Sequence, residues 1–236
     1  MHSLFSQESK KAEKKALSKS FITFKVTDVI SIPEDFWIKA GEHLILTLFA
    51  VCAALPIALG VSILTHNRPF LQNILTSFMN LFQTIPSLAL FAFLIPWLGI
   101  GTVPALCVLS LYAILPILRN SITSLQECPP YLIEAAQIFG LNKRQILFRV
   151  QFPQSLPFII SGIRTSFVWT IGTASLATFI GAGGLGDYIA RGIALLDTSL
   201  LLVGAIPIAF LAIVFDLIFS KIEKSATLWK QGKSSH

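Results

Sequence analysis

From about residue 41 the chain is dominated by apolar residues, and its polar residues arrive in clusters that divide it into segments. A helix of about twenty apolar residues crosses the hydrocarbon core of a bilayer. Stretches near that length lie at residues 43–64, 74–98, 103–118, 159–180 and 200–219. The second contains Pro86 and Pro96, and the third is short but bounded by Gly101 and Arg119. The pattern therefore predicts an all-α integral membrane protein with five spans. It divides into a polar N-terminal tail at 1–40, a transmembrane domain at 41–224 and a C-terminal tail at 225–236. In the first tail Lys10, Lys11, Lys14 and Lys15 form a charged run. Residues 21–32 are too few, and too interrupted by Lys25 and Asp28, to cross a bilayer. With no apolar core of a secretory signal close behind the charges, the pattern predicts a disordered tail there, or one with a surface-lying segment.

The long polar interruption at residues 125–157 is the place to look for function. Pro129 and Pro130 precede an amphipathic run that ends at Phe139 and Gly140. Proline suits a helix start, whose first N–H groups lack intrahelical partners, and glycine suits the left-handed stop. A second short helix is expected from Asn142 as N-cap through Val150, with Pro153 and Pro157 as its end. Each helix has one apolar and one polar face, so the pair needs a partner surface.

At these residues the chain resembles a known family. Glu134-Ala135-Ala136, three residues, Gly140, nine residues, then Val150-Gln151-Phe152-Pro153 is similar to the Glu-Ala-Ala-x3-Gly-x9-Ile-x-Leu-Pro loop of permeases in ATP-binding-cassette (ABC) importers. Val replaces Ile and Phe replaces Leu, both apolar for apolar. The resemblance implies a type I ABC importer (MetI-like) fold in which this loop carries a cytoplasmic coupling helix seated on an ATPase subunit. Glu134, Ala135, Ala136, Gly140 and Pro153 are then the coupling residues.

Composition agrees with the membrane reading. Hydrophobic residues make up 54% and charged residues 13%, far from the usual quarter charged in soluble domains. The net charge of +6 does not indicate nucleic acid, because the basic residues sit in the tails and loops. Arg68, the long loop and the C-terminal tail share one side of a five-span chain, and the connections on the other side carry only Arg191. Positive charge favours the cytoplasm, which puts the loop and C-terminus inside and the N-terminus outside. The Lys10–Lys15 run opposes this, but it lies more than twenty residues from the first span, where the rule weakens.

Polar residues inside the spans are candidates for a solute pathway. Gln83-Thr84-Ile85-Pro86-Ser87 places polar groups and a helix breaker within the second span. Such irregularity is tolerated where protein or a water-filled cavity covers it. The segment resembles the Gln-Thr-Ile-Pro-Ser of betaine-type permeases. In the fourth span Ser166, Trp169, Thr170 and Thr173 share a helix face. Gln83, Pro86, Trp169 and Thr173 are the pathway candidates, Trp169 because its ring can meet a quaternary ammonium by cation–π attraction. For the Ser and Thr the alternative is helix packing through small polar groups. Arg164 is expected to snorkel towards the cytoplasmic end.

The glycine-rich stretch from Gly181 to Gly186 satisfies Gly-x-Gly-x-x-Gly, but it follows a membrane helix and opens no βαβ unit, so it is no dinucleotide site. An external turn or close backbone packing is expected instead. With Asp187, Tyr188, Arg191-Gly192-Ile193 and Asp197, it resembles the betaine and choline branch of the permeases. By that resemblance Asp187, Arg191 and Asp197 face a docking substrate-binding protein, the alternative being a solvated loop with local ion pairs.

Enzymatic and metal sites find no support in the sequence. Gly232-Lys233-Ser234 ends like a phosphate-binding loop, but the earlier glycine that loop requires falls at Thr227. His2, His43, His66 and His236 are scattered, and Cys52, Cys107 and Cys128 form no metal pair. No metal site or cofactor is expected on this chain, with ATP and Mg on the partner ATPase. A membrane-embedded enzyme is disfavoured because Ser87, Ser110, Ser166 and Ser175 have no histidine in their own spans to activate them. A secondary transporter would need more spans or an inverted repeat.

The resemblance implies a permease in the bacterial cytoplasmic (inner) membrane, embedded in the lipid bilayer, and because five spans enclose too little for a complete pathway a homodimer with its pore at the two-fold interface is expected. Its expected partners are two ATPase subunits and an external binding protein or fused binding domain. The solute it implies is glycine betaine, choline, carnitine or ergothioneine, with methionine- or phosphonate-type import as the alternative.

Overall fold

The computed structural model describes residues 33–233; the expectation for the N-terminal tail lies outside these residues. Regular structure among them is entirely helical. In chain order the α-helices are α1 (Phe36–Thr65), α2 (Pro69–Phe82), α3 (Ser87–Leu98), α4 (Thr102–Gln126), α5 (Pro130–Ile138), α6 (Lys143–Ile146), α7 (Phe152–Ala174), α8 (Gly186–Leu195) and α9 (Thr198–Lys233). A π turn at Leu147–Gln151 joins α6 to α7, and a 3₁₀ turn at Ser175–Ile180 ends α7.

By length and apolar character α1, α4 and α9 can cross a membrane, and a fourth crossing is added if α2 and α3 count as one. That pair is where the sequence predicts a single span. It is broken between Phe82 and Ser87 and bent by 95°. Proline disfavours the helical conformation in the residue before it, so Ile85 leaves the helix and Pro86 becomes the N-cap of α3. The freed groups are satisfied locally. Ile85 N–H donates to the Phe82 carbonyl at 3.1 Å, and Tyr112 Oη on α4 donates to the Ile85 carbonyl at 2.5 Å.

The fourth predicted span also differs. It begins at Phe152 rather than near residue 159, because Pro153 and Pro157 do not end the loop's second helix. Pro153 lies in the first turn of α7, where its missing N–H costs nothing. The π turn widens the backbone just ahead of it, with Phe152 N–H donating back to the Leu147 carbonyl. The loop and α7 thus form one continuous path.

Helices α1, α4 and α7 pack side by side, α9 lies on α7, and α8 lies on α9. Close approach is built from small residues. A Cβ on Gly162 would stand 3.0 Å from the Pro116 carbonyl of α4, and one on Gly204 would stand 2.8 Å from the Leu185 carbonyl. Aromatic stacking holds α9 to α7, with Phe167 centred 5.1 Å from Phe215 and 4.9 Å from Phe219. The outward sides of α2, α3 and α9 carry exposed apolar residues such as Phe78, Phe93, Phe210 and Leu217. That distribution suits lipid or a second membrane chain rather than water.

Candidate functional site

The polar loop folds as its local chemistry dictates. Pro130 opens α5, and Gly140 closes it at φ +77°. Leu141 N–H reaches back to the Ala136 carbonyl and Gly140 N–H to the Gln137 carbonyl, the paired bonds of a Schellman stop. Asn142 then caps α6 reciprocally. Its side chain accepts from Gln145 N–H, and Gln145 Oε1 accepts from Asn142 N–H, both at 2.9 Å. Ala136 faces inward, while Glu134 and Ala135 are exposed. Beside them Tyr131, Ile138 and Phe139 are 67%, 85% and 82% exposed. Large apolar side chains uncovered on a short polar helix are the signature of a surface that another protein covers. Pro153 is half-buried where the loop enters α7. Gln151 in the π turn bonds to His66, which follows α1, and burial holds that imidazole below its ordinary 6.5.

Between α7 and α9 the strongest polar feature is ionic. Arg164 on α7 is held in an ion-paired cluster with α9. Its Nε and Nη2 donate to Asp216 Oδ1 and Oδ2 of α9 at 2.6 and 2.8 Å, and its Nη1 reaches Glu223 Oε2 at 3.3 Å. Two carboxylates on the adjoining helix satisfy its fork. Trp169 lies one turn further along α7, 55% exposed. It lines a cleft of about 220 Å³ together with Arg164, Thr165 and Asp216. Thr173 donates its hydroxyl to the Trp169 carbonyl at 2.8 Å. Gln83 and Pro86 sit at the α2–α3 break, separate from the cleft that Trp169 lines.

The glycine-rich turn is strapped to the start of α1. Gly181, Gly183 and Gly184 all have positive φ, and Gly184 N–H donates to Glu42 Oε2 at 2.9 Å. Asp187 is half-buried, paired with Lys39 at 2.7 Å and hydrogen-bonded by Thr178. Tyr188 Oη donates to Asp35 Oδ1 at 2.6 Å. That bond holds the Asp35 carboxyl below its ordinary 3.8, while burial and the neighbouring carboxylate raise the Tyr188 hydroxyl above 10.0. Arg191 is exposed. Asp197 caps α9 by accepting from Ser199 N–H at 2.9 Å and Leu200 N–H at 3.3 Å.

A loop built to be covered, on helices that cross a membrane, matches one family. Residues 45–227 match the family described as binding-protein-dependent transport system inner membrane component. The chain belongs to this family. It is a permease subunit of an ABC importer rather than an enzyme, and such permeases work with an ATPase and a substrate-binding protein. The permease is 40% identical over 190 residues to the carnitine transport permease protein OpuCB of Listeria monocytogenes, covering 80% of this chain and 87% of that one. It is 39% identical over 187 residues to the osmoprotectant import permease protein OsmW of Salmonella typhimurium, covering 77% and 87%. Its fold is that of a chain from the MetNI methionine ABC transporter in an inward-facing conformation. That match has TM-score 0.73 and 22% identity, covering 82% of the permease and 97% of that chain.

Asp216, Glu223, Tyr112 and His43 carry much of the polar geometry, and sequence reasoning passed over them. The available signal was Asp216 itself, an acidic residue inside an apolar stretch, which in a membrane calls for a named partner. His43 offered less: it is fully buried and its Nε2 meets the Ile171 carbonyl at 3.0 Å, a contact no spacing reveals.

Proposed function

We propose that this permease forms, with a second permease chain, the membrane path of an ATP-driven importer for a quaternary-ammonium solute of the glycine betaine, carnitine and choline type. The observation that carries this is the agreement among relatives: carnitine for the Listeria protein, glycine betaine, carnitine and choline for OpuCB of Bacillus subtilis, and osmoprotectants for the Salmonella protein. Ergothioneine, which also bears a trimethylammonium group, belongs to the same chemical class. The crossings are α1, the bent α2–α3 pair, α4, α7 and α9, five in all when α7 is counted. Arg68, the α5–α6 loop and the C-terminal end of α9 then lie in the cytoplasm and the start of α1 outside, as the distribution of basic residues favours.

In this arrangement the exposed face of α5, with Glu134, Ala135 and Gly140, seats on the ATPase. Its motion passes through the continuous π turn at Pro153 into α7. Gln83, Pro86, Trp169 and Thr173 line the path. Arg191, with the α8–α9 corner at Asp197, meets the binding protein, while Asp187 serves that face by holding the turn to Lys39. Nucleotide biases a rigid-body switch between two packings.

The second chain is a copy of this one in the simplest arrangement. A pair with a different permease is favoured by the B. subtilis relatives, which include OpuCB and OpuCD for the same solutes, both similar to this chain. Co-purification of two differently tagged copies supports the homodimer, and recovery of one tag with another permease supports the mixed pair.

The test of function is uptake into proteoliposomes holding the permease with its ATPase and binding protein. Labelled glycine betaine, carnitine, choline and ergothioneine, with methionine as control, are compared with and without ATP. ATP-dependent entry of a trimethylammonium solute is expected. Entry of methionine alone from a complex with active ATPase overturns the solute assignment and keeps the importer.

A further inference from the structure

A polar groove runs between α7 and α9, and Arg164 is its hinge point. On α9, Asp216, Ser220, Glu223, Lys224 and Thr227 recur at i, i+4, i+7, i+8 and i+11, which places them on one helix face. On α7, Ser161, Arg164, Thr165 and Trp169 recur in the same way. Two clefts, of about 220 and 380 Å³, meet at Arg164, one leading to Trp169 and the other to Thr227. Asp216, inside the predicted span at 200–219, and Arg164 opposite it cannot face lipid without cost, so this part of the groove faces a water-filled path or another chain.

We infer that the upper cleft, between Trp169, Arg164 and Asp216, is a transit site for a zwitterion whose onium head stacks on Trp169 and whose carboxylate engages Arg164. The inference rests on the quaternary-ammonium reading above and assigns that reading a place on the chain. Trp169 offers an open ring, the best aromatic partner for a cation. Asp216 lines the same cleft as Trp169 and supplies the negative charge. Arg164 holds Asp216 by two short bonds but Glu223 by one of 3.3 Å, so Nη1 is the corner a ligand carboxylate can take with least loss. The resident ion pair keeps the site satisfied between solutes, since a lone charge there would be costly.

The experiment uses the assembled transporter in proteoliposomes with labelled glycine betaine, which carries a carboxylate, and choline, which does not. Stimulation of the ATPase by loaded binding protein is measured in parallel. Trp169→Leu is expected to slow uptake of both solutes by roughly three- to tenfold with stimulated ATPase retained, and Trp169→Phe, which keeps a weaker ring, to lose distinctly less than Trp169→Leu. Arg164→Lys keeps the charge and loses the planar fork, and is expected to lower betaine uptake at least about threefold more than choline uptake. Wild-type rates in Trp169→Leu, equal losses in the Leu and Phe variants, or loss of stimulated ATPase together with uptake overturns the onium site. An unchanged betaine-to-choline ratio in Arg164→Lys overturns the carboxylate contact. If the wild-type complex hydrolyses ATP but imports neither solute, the functional reading itself fails, and the inference with it.

Discussion

Gly140 and Gly162 show one residue type used for two physical reasons. At Gly140 a Cβ would meet nothing within 4 Å, yet φ is +77°, so the constraint is the backbone conformation alone. A left-handed residue other than glycine costs about 1–2 kcal/mol, and a β-branched one tolerates it worse. Gly140→Ala is therefore expected to lower stability by about 1 kcal/mol and Gly140→Val by more, read as a thermal-unfolding shift of the purified complex. Gly140→Val should also weaken stimulated ATPase, because it disturbs the stop that orients α5. A valine variant as stable and as well coupled as wild type would show that the loop readily finds another ending. Gly140 was legible in the sequence because it follows an amphipathic run by one residue. Gly162 was not, since the atoms that exclude its Cβ belong to α4, more than 40 residues earlier in the chain.

Among the elements, the prolines were readable as punctuation but not as geometry. Pro86 does interrupt a span, but the 95° bend depends on what receives the freed backbone groups. Tyr112 Oη supplies the Ile85 carbonyl with a donor from another helix. Tyr112→Phe removes that donor and is expected to cost about 0.5–1.5 kcal/mol. Amide exchange should accelerate around residues 83–90, measured by mass spectrometry against wild type. No change in either quantity would mean that water already serves that carbonyl. Pro153 misled in the opposite sense: read as a stop, it lies in the first turn of α7, with the π turn opening the backbone ahead of it. The Asn142 capping box was legible because it is local, with both partners inside four residues.

Across the whole molecule, the charged groups around the start of α1 tie the beginning of the described chain to its second half. Lys39 to Asp187, Glu42 to Gly184 and Asp35 to Tyr188 join α1 to the glycine-rich turn and α8. The Asp35 carboxyl is held below its ordinary value, so its contribution is present above pH 3.8 and lost as pH falls through its lowered value. The Tyr188 hydroxyl is raised, so its contribution is present below pH 10.0 and lost as pH climbs through the raised value. The stability gap between wild type and Tyr188→Phe is therefore expected to be level across neutral pH and to close at both extremes. Thermal unfolding of the complex over a pH series measures it, and a gap independent of pH would show that Tyr188 acts through packing alone. The same strap explains why Asp187 looks like a surface residue in sequence and is half-buried in the fold.

By itself the sequence determined what local chemistry and composition control: membrane residence, helical class, the position of the loop and the residues that start and stop α5. Those follow from hydrophobic length, from capping and from the conformational demands of proline and glycine, all of which act within a few residues. Tertiary structure alone decided that Arg164 meets Asp216 and Glu223 across two helices. It also decided that Tyr112 closes the break at Ile85 and that Trp169 opens onto a polar groove. The partners in each case are 27 to 59 residues apart in the chain, and a charge or a freed carbonyl in a membrane must be satisfied by whatever the packing brings beside it.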